Sequence, residues 1–194
     1  MFTQSNYFIK QEFALFKLTS KYFITNPETK ETIAIAEENI SPLHKYSRLF
    51  IKKQFFGTRV DIKDAASQQV LYTIKKSGFW APKVSVTDST GNNLGYFQSK
   101  TFSLKGMFDV YESNNTKLAQ VTGEFFKWNY TFTDITGKQL GLVTKQWSGL
   151  GKELFTNSDN YMISIDESVQ GNSNIMALLI IAGLAIDIVY RERN

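Results

Sequence analysis

The chain of 194 residues contains no cysteine, one histidine and three prolines. Without cysteine, disulfides, thiolate catalysis and cysteine-ligated zinc sites are excluded. The histidine, His44, has no G-x-S-x-G context that would pair it with a nucleophile. Both glycine-rich phosphate-binding patterns, G-x-x-x-x-G-K-[ST] and G-x-G-x-x-G, are also missing. We therefore expect neither an enzyme nor a tightly bound cofactor.

Targeting signals are also missing from the start of the chain. The first ten residues lack the basic start, apolar centre and small-residue cleavage site of a signal peptide. Phe2 stands where a myristoylation signal requires glycine. We expect a cytoplasmic protein. The net charge of +4 favours an anionic phospholipid or membrane surface as partner, but is too small for a dedicated nucleic-acid binder.

A repeated unit fills the middle of the chain. Four segments alternate apolar and polar residues and end on an acidic residue, at spacings of 24, 24 and 22 positions: Asp64, Asp88, Glu112 and Asp134. Three residues later, each has a candidate turn residue: Ser67, Gly91, Asn115 and Gly137. Each unit predicts a β-hairpin, and a change of parity in the returning strand indicates a bulge.

The acidic residues of these units resemble metal ligands or paired catalytic acids. Their recurrence at one hairpin position favours a simpler role, in which the carboxylates accept hydrogen bonds from turn amides. A fifth copy opens the chain, where Asn26 takes the acidic position between strands at 21–25 and 31–38. Residues 39–56 predict a loop or short helix leading into a strand.

Five hairpins supply about ten strands, which indicates a sandwich or a closed barrel. Closure is favoured because it removes exposed sheet edges. The run 175–190 is apolar on every side except at Asp187, and such a helix must be buried in protein or in lipid. Its sixteen residues rise about 24 Å, less than the roughly 30 Å hydrocarbon core of a bilayer. An enclosed helix is therefore favoured, and a membrane-inserted helix is the alternative.

The stretch between the hairpins and this helix resembles a known family. The pattern joins K-x-W-S-G at 145–149, E-x-F-T at 153–156 and D-N-Y at 159–161 to a helix that ends in D-I-V-Y-R-E at 187–192. Together these segments resemble the C-terminal signature of the phospholipid scramblase family and its LURP-one-related relatives. The signature residues given a structural role are Trp147, Gly149, Glu153, Phe155 and Asp187.

The resemblance implies a mainly β, tubby-like fold, with about twelve antiparallel strands closed around the hydrophobic C-terminal helix. We expect one domain over 1–194, with the barrel in 1–170 and the helix in 172–192. The implied function is a scramblase-like, membrane-associated phospholipid-binding protein that moves phospholipids between leaflets. The resemblance also implies a peripheral location at the inner face of the plasma membrane. The alternative is a soluble ligand-binding or protein-interaction module without transport.

The family also implies calcium dependence, for which the ligand candidates here are Asn157, Asp159 and Asp166. Asn157 stands where an acid is usual, and the segment lacks the central glycine and final bidentate glutamate of an EF-hand loop. Calcium is therefore a weak prediction.

The basic residues near the hairpins predict a rim that binds lipid head groups, with a solvated charged face as the alternative. The head-group candidates are Lys52, Lys53, Arg59, Lys75, Lys76, Lys100 and Lys145.

Overall fold

The computed structural model describes residues 2–12, 20–39, 58–76, 83–99, 107–124, 128–145 and 160–187. They form twelve strands and one long helix. The strands are β1 (Asn6–Gln11), β2 (Lys21–Thr25), β3 (Thr32–Glu38), β4 (Thr58–Asp64), β5 (Val70–Lys76), β6 (Lys83–Asp88), β7 (Asn93–Ser99), β8 (Phe108–Glu112), β9 (Lys117–Glu124), β10 (Asn129–Thr133), β11 (Gln139–Thr144) and β12 (Tyr161–Ile165).

The strands close into an antiparallel barrel in which each strand pairs with its neighbours in sequence. Closure is made by β1, which pairs with β2 on one side and β12 on the other. In the closing pair, Tyr7 lies opposite Ile163. No strand is left with a free edge in this ring. The predicted closed barrel is confirmed.

The predicted hairpins are present, and their tight turns lie at one end of the barrel. Asp88 accepts hydrogen bonds from the Thr90 amide at 2.9 Å and the Thr90 hydroxyl at 2.7 Å. Asp134 accepts the corresponding bonds from Thr136. Asn26 accepts from the amides that follow it, so an amide can replace the carboxylate. These acceptor side chains stabilise the turns, as the repeat predicts.

Ser67 lies in its turn as predicted, but the turn after Asp64 is longer than the turns after Asp88, Glu112 and Asp134. Gly91, Asn115 and Gly137 have the expected positive φ, but the left-handed residue of the Asp64 turn is Gln68 and not Ser67. This turn is one residue longer, because the Asp64 amide donates to the carbonyl of Gln69, five positions on. Ser67 instead donates its amide and hydroxyl to the Asp64 carboxylate.

The predicted change of parity is also present. In every one of the five hairpins, the strand register shifts close to the turn. In the β4–β5 hairpin, for example, the shift falls between Ile62 and Lys63. Such bulges increase the local twist, which helps a sheet to curve into a barrel.

Helix α1 (Ser173–Ala185) lies inside the barrel. The Asn172 side chain caps it by accepting from the amides of Asn174 at 3.1 Å and Ile175 at 3.2 Å. Every residue from 176 to 185 is buried, and Ile186 and Asp187 continue the chain in a wider turn. The helix is enclosed, as the length of its apolar run favours. Within the described residues, no helix combines the length and apolar character needed to cross a membrane.

Small residues make room for the helix. A Cβ atom added to Gly183 would lie 2.6 Å from Cδ1 of Ile163 on β12. A Cβ added to Gly95 on β7 would lie 2.2 Å from the Tyr111 carbonyl oxygen and 3.1 Å from the Leu178 side chain of the helix. The barrel wall and the helix therefore approach too closely at these points for a larger residue.

Apart from Asn39, the segment predicted at 39–56 lies outside the described residues.

Replacing Gly95 with alanine should destabilise the barrel. The new methyl group would overlap a backbone oxygen, which cannot rotate away, so we expect a loss of about 1–3 kcal/mol in the free energy of unfolding. Gly171→Ala is the matched control, because nothing lies within 4 Å of its added Cβ. Denaturant melts of both variants measure the difference, and equal midpoints would contradict this packing.

The turn carboxylates should make stability fall in acid. Hydrogen bonds from the side chain of Thr90 and the amide of Asn92 lower the pKa of Asp88 below its ordinary 3.8. The pKa values of Asp64 and Asp134 are lowered in the same way. A lowered folded-state pKa adds stability above the unfolded-state pKa, and this stability is lost as the pH falls through the folded value.

We therefore expect the Tm advantage of wild type over Asp88→Asn to be constant from about pH 7 to 5 and to shrink below about pH 4. Asparagine is a suitable replacement because Asn26 occupies the same turn position. A thermal melt series against pH tests this. A Tm difference that does not change with pH would argue against the carboxylate hydrogen bonds.

Candidate functional site

A row of outward-facing side chains crosses five neighbouring strands of the barrel. Arg59 on β4 lies directly opposite Lys75 on β5, which lies opposite Ser85 on β6. Ser85 lies opposite Tyr96 on β7, and Tyr96 opposite Tyr111 on β8. Successive side chains of a strand point to opposite faces. The neighbours of these residues in sequence are buried, except for half-buried Glu112, so the row, which we name the outer-wall row, faces outward.

The first part of the outer-wall row is cationic. The Arg59 side chain is 54% exposed, and its Nε donates to Oδ1 of Asp61 at 3.0 Å. Lys75 is exposed, and its carbonyl accepts from the Ser85 hydroxyl at 3.3 Å. Like charges directly across a strand pair repel each other. Asp61 offsets one of these two cations, so a net positive charge remains at this position.

Asp61 orients the arginine. It is 4% exposed and also accepts from Nδ2 of Asn39 at 2.7 Å and from the Thr73 hydroxyl at 2.9 Å. Burial alone would raise the pKa of this carboxyl, but the hydrogen bonds from Asn39, Thr73 and Arg59 outweigh burial and lower it. Asp61 therefore stays ionised and directs the Nε side of the guanidinium towards the barrel wall. The Arg59 side chain remains 54% exposed while it makes this contact.

The second part of the row is aromatic. The rings of Tyr96 and Tyr111 stack with centroids 4.8 Å apart and an angle of 12°. Lys83 lies two residues before Ser85 on the same face of β6, and its ammonium is 3.5 Å from the centroid of the Tyr96 ring. This cation–π contact fixes a third exposed cation beside the row.

Among the predicted head-group residues that the structure describes, Arg59 and Lys75 are the two that come together. Lys76 is 7% exposed and faces inward, because it is next to outward-facing Lys75. Lys145 follows β11, six positions from β5 around the barrel, and its ammonium lies 4.3 Å from the Trp128 ring centroid. The other candidates, Lys52, Lys53 and Lys100, lie outside the described residues.

Sequence reasoning left Lys83, Tyr96 and Tyr111 out of the site. The alternation of β6 was enough to place Lys83 on the same face as Ser85. The register between β5, β6, β7 and β8 was the missing information, because bulges near every turn shift it. The residues that form the outer-wall row therefore could not be identified by counting positions from the turns.

Asp166, a predicted calcium ligand, caps a short 3-10 turn over Glu167–Val169. Its carboxylate accepts from the hydroxyl and the amide of Ser168, and these bonds lower its pKa. Lys138 Nζ lies 3.7 Å away. Asn157 and Asp159 lie outside the described residues. In the part of the chain that the structure describes, no three His, Cys, Asp or Glu side chains are placed to hold a metal ion.

Of the signature residues, Asp187 is described, whereas Trp147, Gly149, Glu153 and Phe155 are not. Asp187 is 2% exposed and follows the end of α1. Burial and the nearby charge of Asp187 raise the pKa of Tyr130 on β10 to about 12. The Tyr130 hydroxyl is buried without a hydrogen-bond partner among the described residues. Asp187 thus lies in the protein interior, close to a tyrosine that stays protonated.

Replacing Tyr130 with phenylalanine should leave stability unchanged or raise it by up to about 1 kcal/mol, because the variant removes a buried polar group that has no partner among the described residues. Tyr7→Phe is the matched control, since the equally buried Tyr7 hydroxyl accepts from the Gln4 amide at 2.9 Å. The control should lose about 1 kcal/mol. Chemical denaturation compares them, and a larger loss in Tyr130→Phe would contradict this environment.

Comparison with known proteins assigns the family. The family model described as Scramblase matches residues 9–193. A phospholipid scramblase family protein of Schizosaccharomyces pombe is 20% identical over 194 residues, covering 92% of this chain and 50% of the relative, so the chain spans about half the length of that protein. No solved structure matches significantly. The match to the family model extends over nearly the whole barrel and helix, and the chain therefore belongs to the Scramblase family.

Proposed function

We propose that this protein is a scramblase-like, phospholipid-binding protein that docks on anionic membranes through its outer-wall row. The observation that carries the proposal is the exposed, directly opposed pair Arg59 and Lys75 on the barrel of a Scramblase family member. In this arrangement the barrel lies on its side, with the β4–β8 wall against the head groups. The anionic inner face of the plasma membrane is the surface that suits it.

Electrostatics gives the expected strength. A cation near an anionic membrane surface contributes about 1 kcal/mol, so Arg59, Lys75 and Lys83 together contribute about 3 kcal/mol before screening by salt. Tyr111 adds an amphipathic ring of the kind enriched at the head-group level of membranes. The Asp61 carboxylate reduces this attraction, because it offsets part of the charge of Arg59. Binding should therefore be reversible and sensitive to salt.

Movement of phospholipids between leaflets is the finer part of the proposal. The enclosure of α1 favours a second candidate, a binding or interaction module without transport, because an enclosed helix offers no lipid path across a bilayer. Reconstitution into vesicles with labelled lipid separates the two candidates. Loss of leaflet asymmetry that depends on the protein supports scrambling, and tight binding without such loss supports the module.

The double variant Lys75→Glu/Lys83→Glu should lose most binding to phosphatidylserine vesicles, since it replaces one cation of the row and one cation beside it with anions. Its control, Lys10→Glu/Lys30→Glu, makes the same change of net charge at exposed positions outside the row. Vesicle flotation at low and physiological salt measures binding. The control should retain most of its binding, and an equal loss in both variants would mean that net charge alone drives the association.

A further inference from the structure

We propose that the cationic part of the outer-wall row selects phosphate monoesters, so that the preferred head groups are those with a terminal, doubly charged phosphate. The inference rests on the proposed function and specifies the lipid chemistry of the same site. The phosphate lies between Arg59 and Lys75, with Lys83 as a third cation nearby.

Strand geometry brings these groups within reach of one phosphate. Directly opposed residues such as Arg59 and Lys75 have Cβ atoms about 4.5–5.5 Å apart. Both side chains are long and lie on the same outer face, so their charged ends can reach one phosphate placed between them. Ser85, the next residue in the row, is small and leaves space beside Lys75.

The orientation of Arg59 favours phosphate over a diffuse negative surface. Its Nε is held by Asp61 at 3.0 Å, which fixes the plane of the guanidinium. A guanidinium that is bound through Nε still has the N–H donors of its two terminal nitrogens for a second partner. A planar donor fork recognises phosphate oxygens in a bidentate manner, whereas a lysine ammonium acts as a point charge.

The charge of the site matches a dianion. Arg59, Lys75 and Lys83 carry three positive charges, and Asp61 carries one negative charge, which leaves +2. A phosphate monoester carries about −1.5 to −2 at pH 7 because its second pKa is about 6. A phosphodiester head group carries a single phosphate charge and would leave the repulsion between Arg59 and Lys75 only partly offset.

Vesicles of matched surface charge test the selection. We expect the protein to bind phosphatidate vesicles about five- to tenfold more tightly than phosphatidylglycerol vesicles of equal zeta potential at pH 7.4. The preference should vanish near pH 5, where the monoester has lost its second charge. Arg59→Lys, which keeps the charge but loses the fork, and Lys75→Gln should each reduce the preference at least threefold, and the control Lys10→Gln should not.

A second measurement separates this inference from the proposed function. Glycerol 3-phosphate is titrated into the protein while the amide NMR signals of Arg59 and Lys75 are followed, with glycerol as the control.

Equal affinity for both vesicle types, without shifts of these amides, overturns the monoester inference and leaves membrane docking intact. Specific shifts without binding to any vesicle would retain the phosphate site but assign it to a soluble ligand, and the proposed function would then be wrong. Failure of both binding assays would overturn both proposals.

Discussion

Burial of helix α1 is the constraint on which the rest of the structure depends. Its residues 176–185 are buried on all sides, so the helix has no polar face that could be left in water. A closed barrel satisfies this requirement because every strand turns one face towards the helix. The same requirement explains the glycine at position 95, where the β7 wall touches Leu178, and the apolar inner positions that alternate along the strands.

Filling the barrel also determines where binding can occur. The interior is occupied by side chains of the helix and of the strands, so ligand chemistry is confined to the outer wall and the two ends. On the outer wall, the arrangement of Arg59, Asp61 and Lys75 differs from an isolated surface ion pair, because a buried carboxylate holds the arginine beside a second exposed cation.

The fold was largely predictable from local chemistry, because the hairpins repeat and each turn is marked by its own acceptor. Asn26, Asp88 and Asp134 bind the amides expected of them, and the apolar run identified the enclosed helix. The extra residue in the turn after Asp64 was not predictable, because a four-residue and a five-residue spacing across the turn look alike in sequence.

The site was less predictable than the fold. Lys75 and Lys76 are adjacent and chemically alike, yet one faces solvent and the other the interior, and only the strand register decides which. Tyr96 and Tyr111 are fifteen residues apart in sequence and stack because β7 and β8 pair in one particular register. Long-range register of this kind depends on bulges and barrel closure, which a single hairpin pattern does not contain.

The most direct test of this account is hydrogen exchange of the α1 amides in the native protein, followed residue by residue with and without anionic vesicles. If the helix is enclosed, amides 177–185 should exchange only through global unfolding, as slowly as the central barrel strands, and vesicles should not change their rates. Exchange much faster than that of the strands, or protection that appears only when vesicles are added, would contradict an enclosed helix and the docking of an intact barrel.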